Sequence, residues 1–162
     1  MMADPKTLYQ EVILDHNRKP RNYGVLEHPS HQAEGVNTLC GDHIKVTLAV
    51  AGETIARIAF HGESCAICKA SASMMTAAVK GRTRAEAEVL TQDFLAMATG
   101  KSSLDQLSRI GRLAVFAGVR DLPMRVKCAI LPWHTLHAAF HSVASVSTEA
   151  DADPMQAPIG NA

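Results

Sequence analysis

The sequence predicts an α+β fold: an antiparallel sheet with helices covering one face. Three observations predict it. Residues His43 to Ala51 alternate apolar and polar, with Ile44, Val46, Leu48 and Val50 on one face, and Thr54 to His61 continues the pattern with Ile58 and Phe60. The short string Ala51-Gly52-Glu53 between them is turn chemistry, so the two stretches form a hairpin. Beyond Ser64 the apolar period becomes helical and stays so to about Val143.

Each element follows in order. Asp4 and Pro5 open a first helix as N-cap and first helical residue, and Leu8, Val12 and Ile13 continue it with Tyr9 alongside. Pro20 and Gly24 stop it, and Asn17 to Ser30 is a loop rich in Pro, Asn and Arg. Gln32 to Leu39 is a weaker strand ahead of the hairpin. Ser64 to Lys80 is a helix with a small-residue stripe of Ala70, Met74, Ala77 and Ala78, closed by Gly81. Thr83 and Glu86 form a capping box that opens a helix over Arg84 to Thr99. Ser103 to Gly118 holds one or two brief helices. Asp121 and Pro123 start the last long helix, in which Pro132 predicts a break or kink. Residues 1–144 form one domain, and the Ser-, Ala-, Asp- and Pro-rich stretch 145–162 is expected to be a disordered tail.

Composition narrows the function. The 162 residues suffice for one domain with a core. Sixteen basic and sixteen acidic side chains balance, and no basic stripe points to nucleic acid. No apolar run is long enough for a membrane span, and the first residues lack the order of a secretory signal, so a cytoplasmic, reducing location is expected. Aromatic residues are 4% of the chain, so the core is expected to rest on Leu, Ile, Val, Met and Ala.

Four cysteines in a reducing compartment point to ligands or reactive thiols rather than disulfides. Cys40 and Asp42 share a turn in Leu39-Cys40-Gly41-Asp42. Cys65 stands where a strand passes into a helix, and Cys128 lies early in the last helix. Three thiolates and one carboxylate suit tetrahedral Zn²⁺, and a carboxylate makes such a site more exchangeable than four sulfurs would. Arg125 and Lys127 flank Cys128, where they would offset the negative charge and lower thiol pKa values. Spacing alone leaves open the plainer reading of small, buried, inert cysteines.

Longer strings carry a resemblance. Leu14-Asp15-His16-Asn17-Arg18-Lys19-Pro20-Arg21-Asn22-Tyr23-Gly24 resembles the D-H-x-x-x-P-R-N-x-G signature of the NifU/IscU iron–sulfur cluster assembly family. Cys40-Gly41-Asp42 matches its C-G-D motif. Gly62-Glu63-Ser64-Cys65 with Ala70-Ser71-Ala72-Ser73 resembles its G-x-x-C…A-S-x-S segment, and Cys128 matches its third cysteine. The match runs from about Leu8 to about Phe140. Two departures resemble the SUF-type, SufU-like branch. Lys127 stands where housekeeping scaffolds carry histidine, and the gap from Cys65 to Cys128 (128 − 65 = 63) exceeds the scaffold pattern, with extra chain around Thr99 to Gly118.

The resemblance implies a three-stranded antiparallel sheet packed against helices, of the SufE/IscU-like kind. It implies a zinc protein that accepts persulfide sulfur from a cysteine desulfurase of the SufS type and supplies a downstream SUF scaffold or apo-proteins. Cys40, Asp42, Cys65 and Cys128 take the family's metal positions, Cys40 the sulfur acceptor's, and Arg125 a position of desulfurase contact. Two alternatives stand beside this: a scaffold that binds iron and builds a [2Fe–2S] cluster, and a structural zinc domain that only binds partners.

Other residues invite weaker readings. Cys68 completes Cys65-Ala66-Ile67-Cys68 and could be a packed small residue, a spare thiol in ligand exchange or half of a redox pair. His134, His137 and His141 form one helical stripe, read as a partly solvated face because no carboxylate accompanies it. His43 and His61 are strand-end surface histidines near the motif cysteines. His16 orders the loop after the first helix. Met74, Met75 and Trp133 are packing residues.

Overall fold

The computed structural model describes residues 5–148. Its elements are α1 (Pro5–Arg18), β1 (His31–Asn37), a 3₁₀ turn (Thr38–Cys40), β2 (Asp42–Ala51), β3 (Thr54–Glu63), α2 (Ala66–Val79), α3 (Arg84–Ala98), α4 (Leu104–Arg109), a 3₁₀ segment (Gly111–Asp121), α5 (Pro123–Phe140) and β4 (Ser145–Ser147). The expected N-cap Asp4 lies outside the described residues. Among them, no helix is long and apolar enough to cross a membrane.

The sheet is four-stranded and mixed, not three-stranded and antiparallel. Its order is β3-β2-β1-β4. β1, β2 and β3 form the expected antiparallel part, with Val46 paired to Ala33 on one side and to Phe60 on the other. β4 adds a parallel strand on β1, from Glu34–Ser145 to Val36–Ser147. The stretch 145–147, expected to begin a disordered tail, is therefore paired chain; residues 149–162 lie outside the described residues. Open strand edges seek partners. β1 exposes one, and the chain leaving α5 returns past it, with the Glu34 N–H donating to the Ala144 carbonyl at 2.9 Å. The far edge, β3, is met by Tyr23, bridged to Phe60, and by Thr83, bridged to Thr54.

Helices α2 and α5 lie on the sheet, and α1, α3 and the 3₁₀ segment pack onto those two. Close approach sets where α5 crosses β1: a side chain at Gly35 would collide with Thr135 Oγ1 and press on Leu131. α5 runs unbroken through Pro132, where a break or kink was expected. The stretch that lengthens the gap between Cys65 and Cys128 folds as α4 and the 3₁₀ segment, and buries Leu113, Phe116 and Val119.

The core corrects the expectation from composition. All four phenylalanines and the tryptophan are buried, and Trp133, Phe60, Phe94 and Phe116 are among its largest fully enclosed side chains. Trp133 stacks on Phe94 with ring centroids 4.6 Å apart, and its Nε1–H donates to Ser71 Oγ at 3.1 Å. A few large rings at the meeting of α2, α3 and α5 fill the space that small alanines leave. Met74 and Met75 pack beside them.

The end of α1 and the loop after it are joined to α2 by hydrogen bonds. His16 Nδ1 lies 2.6 Å from Ser73 Oγ, which also accepts from the Arg21 N–H at 2.8 Å. Asn17 Nδ2 donates to the Ala66 carbonyl and Asn22 Nδ2 to Thr76 Oγ1, while Arg21 pairs with Asp15 at 2.7 Å. His16 thus fastens the loop to the helix that begins at Cys65.

Candidate metal and thiol site

Four distant residues converge at one end of α5. The β1–β2 turn supplies two. Cys40 ends its 3₁₀ turn, and Gly41 follows at φ 72°, a left-handed conformation that glycine adopts without strain. This reversal turns the chain back so that Asp42, first residue of β2 and paired with Asn37, points inward while His43 points out. Cys65 is the N-cap of α2, its sulfur accepting the Cys68 N–H at 3.4 Å. Cys128 sits in the second turn of α5.

The donor atoms of Cys40, Asp42 and Cys128 all lie within 4.8 Å of one another. Cys65 joins through Asp42: its N–H donates to Oδ1 at 2.7 Å, and its Sγ is 3.8 Å from Oδ2. Sulfurs bound to one tetrahedral zinc stand about 3.8 Å apart, given bonds of about 2.3 Å. Cys40, Asp42 and Cys128 lie close enough to share such an ion, while Cys65 stands just outside that group of three, against Asp42. Asp42 adds a second reason. It is 1% exposed, its carboxylate accepts the Cys65 N–H, and the Cys40 and Cys128 sulfurs are also within 4.8 Å of it. A carboxylate buried among thiols is costly to ionise, and a cation at this position would offset that cost.

The thiols differ. Cys128 is buried and Cys40 and Cys65 are half-buried. Hydrogen bonding from the Cys128 thiol and from the Cys68 N–H lowers the Cys65 pKa, against burial. The Cys128 thiol, serving as donor to Cys65 and also buried, is pushed up. The lowering of Cys65 therefore comes from its thiol and amide neighbours, where Arg125 and Lys127 were expected to act. Arg125 is exposed and lies by Tyr9, whose burial raises its pKa while Arg125 opposes that rise. Lys127 is half-buried, with its carbonyl accepting from Thr148 Oγ1 at 3.1 Å.

Cys68 does not share a helix face with Cys65, because Cys65 has extended backbone at the cap (φ −68°, ψ 167°). The Cys68 thiol is sealed in the core, and burial pushes its pKa well up. What it gives the site is its backbone N–H. His43 is outward, 3.8 Å from Glu34, and His61 shares that outer surface. Sequence reasoning passed over Asn37, which is fully buried with Nδ2 3.8 Å from Cys128 Sγ. Its position opposite Asp42 in the turn was the available signal. It also passed over the apolar rim: Leu39 is 64% exposed beside Cys40, and Met124, 48% exposed, has its carbonyl 4.0 Å from Cys40 Sγ.

The histidine stripe is not without a carboxylate, as the sequence alone implied. Glu88, from α3, comes within 3.0 Å of His141 and 3.6 Å of His137. A partner on another helix leaves no trace in the spacing along α5.

A small α+β domain with thiols and a carboxylate gathered at a half-open surface defines a class of metal- and sulfur-handling proteins. The comparisons place the chain within it: residues 8–129 match the family model for the NifU-like N-terminal domain, and the chain belongs to that family. It is 40% identical over 134 residues to the zinc-dependent sulfurtransferase SufU of Bacillus subtilis, covering 83% of this chain and 90% of that one. It is 38% identical to the iron–sulfur cluster assembly scaffold protein IscU of Streptococcus pyogenes, covering 82% of each. A crystal structure of a protein assigned to the SUF cluster-assembly system of Fervidobacterium islandicum superposes with a TM-score of 0.75 at 34% identity, over 82% of this chain and 96% of that one.

Proposed function

We propose that this protein accepts persulfide sulfur for iron–sulfur cluster assembly, acting with a cysteine desulfurase of the SufS type and passing sulfur to a downstream SUF scaffold or apo-proteins. The observation that supports the reading is the gathering of Cys40, Asp42 and Cys128, with Cys65 against Asp42 and with exposed Leu39 beside half-buried Cys40. The similarity to a relative named as a zinc-dependent sulfurtransferase points the same way.

Cys40, Asp42, Cys65 and Cys128 would hold Zn²⁺. The ion would keep the thiols deprotonated and balance their charge. The protein's own residues do the rest. Gly41 gives the turn its sharp left-handed reversal and so sets Cys40 at the rim, whereas Cys65 is fixed by its cap and by Asp42. Leu39 and Met124 give a partner an apolar surface around the thiol, and exposed Arg125 offers it a charge. The Cys40 thiolate attacks the outer sulfur of the partner's persulfide. A new S–S bond forms on Cys40, the partner's S–S bond breaks, and the partner leaves as a thiolate, so no oxidant or reductant is needed.

Scaffold-named relatives also match this chain. A [2Fe–2S] cluster formed anaerobically on the protein and passed rapidly to an apo-protein would move the reading to that role. The direct test is Cys40→Ser incubated with desulfurase and cysteine. The wild-type chain is expected to gain the mass of one sulfur atom at Cys40 and the variant none, with circular dichroism unchanged. Undiminished sulfur uptake by the variant overturns the proposal, and no uptake by wild type favours a purely structural zinc domain.

A further inference from the structure

The second cluster of potential ligands lies toward the other end of α5. His137 and His141, four residues apart, stand on one helical face with ring centroids 4.3 Å apart. Glu88 reaches them from α3, and one donor atom from each of the three residues falls within a common 4.8 Å. Nitrogens and oxygens bound at about 2.0–2.1 Å to a tetrahedral ion stand about 3.3 Å apart. The observed separations, Glu88 Oε1 to His141 Nε2 at 3.0 Å and to His137 Nδ1 at 3.6 Å, bracket that value.

Two further observations point to a cation. His137 Nδ1 is buried and has no hydrogen-bond partner among the described residues, although it faces the carboxylate. His141 is also the C-cap of α5, where the helix's last carbonyls present the negative end of its dipole. The groups facing the cluster are accounted for. Arg84 donates to the Phe140 carbonyl at 2.8 Å and lies over the Phe140 ring, His31 of β1 packs edge-on against the same ring, and His134 is enclosed one turn deeper.

We propose that Glu88, His137 and His141 form a second metal site, for a divalent cation of the zinc class, with three protein donors and the remaining position open to solvent. Two imidazoles and one carboxylate are the donors of open zinc sites. Glu88 and His141 are each 32% exposed in the side chain, so an ion can enter and leave. His137 is nine residues from Cys128, about 14 Å along the helix axis, so this site shares no ligand with the cysteines.

The test adds Co²⁺ to full-length protein whose resident metal has first been counted. One further equivalent is expected, with ligand-field absorption and no thiolate charge-transfer band. In Glu88→Gln and His141→Gln its affinity falls by about tenfold or more. Uptake of no further ion, equal binding in both variants, or a thiolate band with the added ion overturns the proposal. If a variant fails to fold by circular dichroism, the wild type still decides. Paramagnetic Co²⁺ must broaden the His137 and His141 imidazole signals before those of the other histidines. Sulfur transfer is not part of the readout, so this result and that of Cys40→Ser stand apart.

Discussion

The two halves of α5 carry two different ways of building a site. Near its start, Cys128 meets a turn and a helix cap from elsewhere in the chain, and each donor is held by backbone: a left-handed glycine, a strand end, an N-cap. Toward its end, His137 and His141 come from one helical face and need only Glu88 from a neighbouring helix. The first site encloses a carboxylate and gathers sulfur, which suits binding of a thiophilic ion. The second is half-exposed, with nitrogen and oxygen donors, which suits exchange. One rigid rod thus serves both, and the residues between them fix how far they depend on each other.

Trp133 is the sharpest way to break that independence. It lies between Cys128 and His137, is fully buried, and ties α5 to α2 through Ser71 and to α3 through Phe94. Trp133→Ala removes that packing at a cost of about 3–5 kcal/mol. Urea unfolding should show the loss, and metal counts should fall at both ends together. Trp133→Phe keeps most of the apolar area and should restore both. If the alanine variant disturbed one end alone, the picture of a shared rod would be wrong.

His134 separates the two ends by pH. Burial pushes its pKa from 6.5 down to about 4, and neither ring nitrogen has a hydrogen-bond partner among the described residues. It is neutral when folded, while the unfolded chain takes up a proton below its ordinary pKa. Stability from this residue is therefore complete above about pH 6.5 and is lost as pH falls toward 4, by up to about 3 kcal/mol. In His134→Leu the loss of stability between about pH 7 and pH 4.5 should be smaller by that order. Acid release of metal from the cysteines affects both proteins alike and cancels in the difference. Parallel curves for the two would show that His134 titrates normally.

The contrast also explains what could be read from the sequence. The hairpin, the capping box of Thr83 and Glu86 and the helical region after Ser64 were legible because periodicity and caps are local. The expected capping box is formed in full. β4 was not, because three residues in a Ser- and Ala-rich stretch become a strand only when β1 leaves an edge to pair with. Pro132 does not end the helix: the expected break is absent, and packing against the sheet, α2 and α3 holds α5 as one element. At the site, chain spacing could not bring Cys40, Cys65 and Cys128 together, and family-like strings did that work. The helical stripe of histidines was legible from spacing alone, but Glu88 was not, since its contact depends on how α3 packs against α5. Asn37 and the exposed rim at Leu39 and Met124 escaped notice because burial and exposure at a turn are tertiary properties.

The gentlest separation of the two ends is at the start of α3. Thr83 Oγ1 accepts from the Glu86 N–H at 3.1 Å, and Glu86 Oε1 accepts from the Thr83 N–H at 2.9 Å. These bonds fix the first turn of the helix, from which Arg84 reaches Phe140; Glu88, at the start of the next turn, reaches the histidines. Thr83→Ala leaves the Glu86 N–H without its acceptor and should cost about 1 kcal/mol by urea unfolding. The frayed turn should loosen Glu88 and weaken added Co²⁺ by a few-fold, while sulfur uptake at Cys40 stays at the wild-type level. Thr83→Ser keeps the hydroxyl and should restore both stability and Co²⁺ affinity. A drop in sulfur uptake with Thr83→Ala would mean that the start of α3 supports the cysteine end as well, and the division between the two halves of α5 would have to be redrawn.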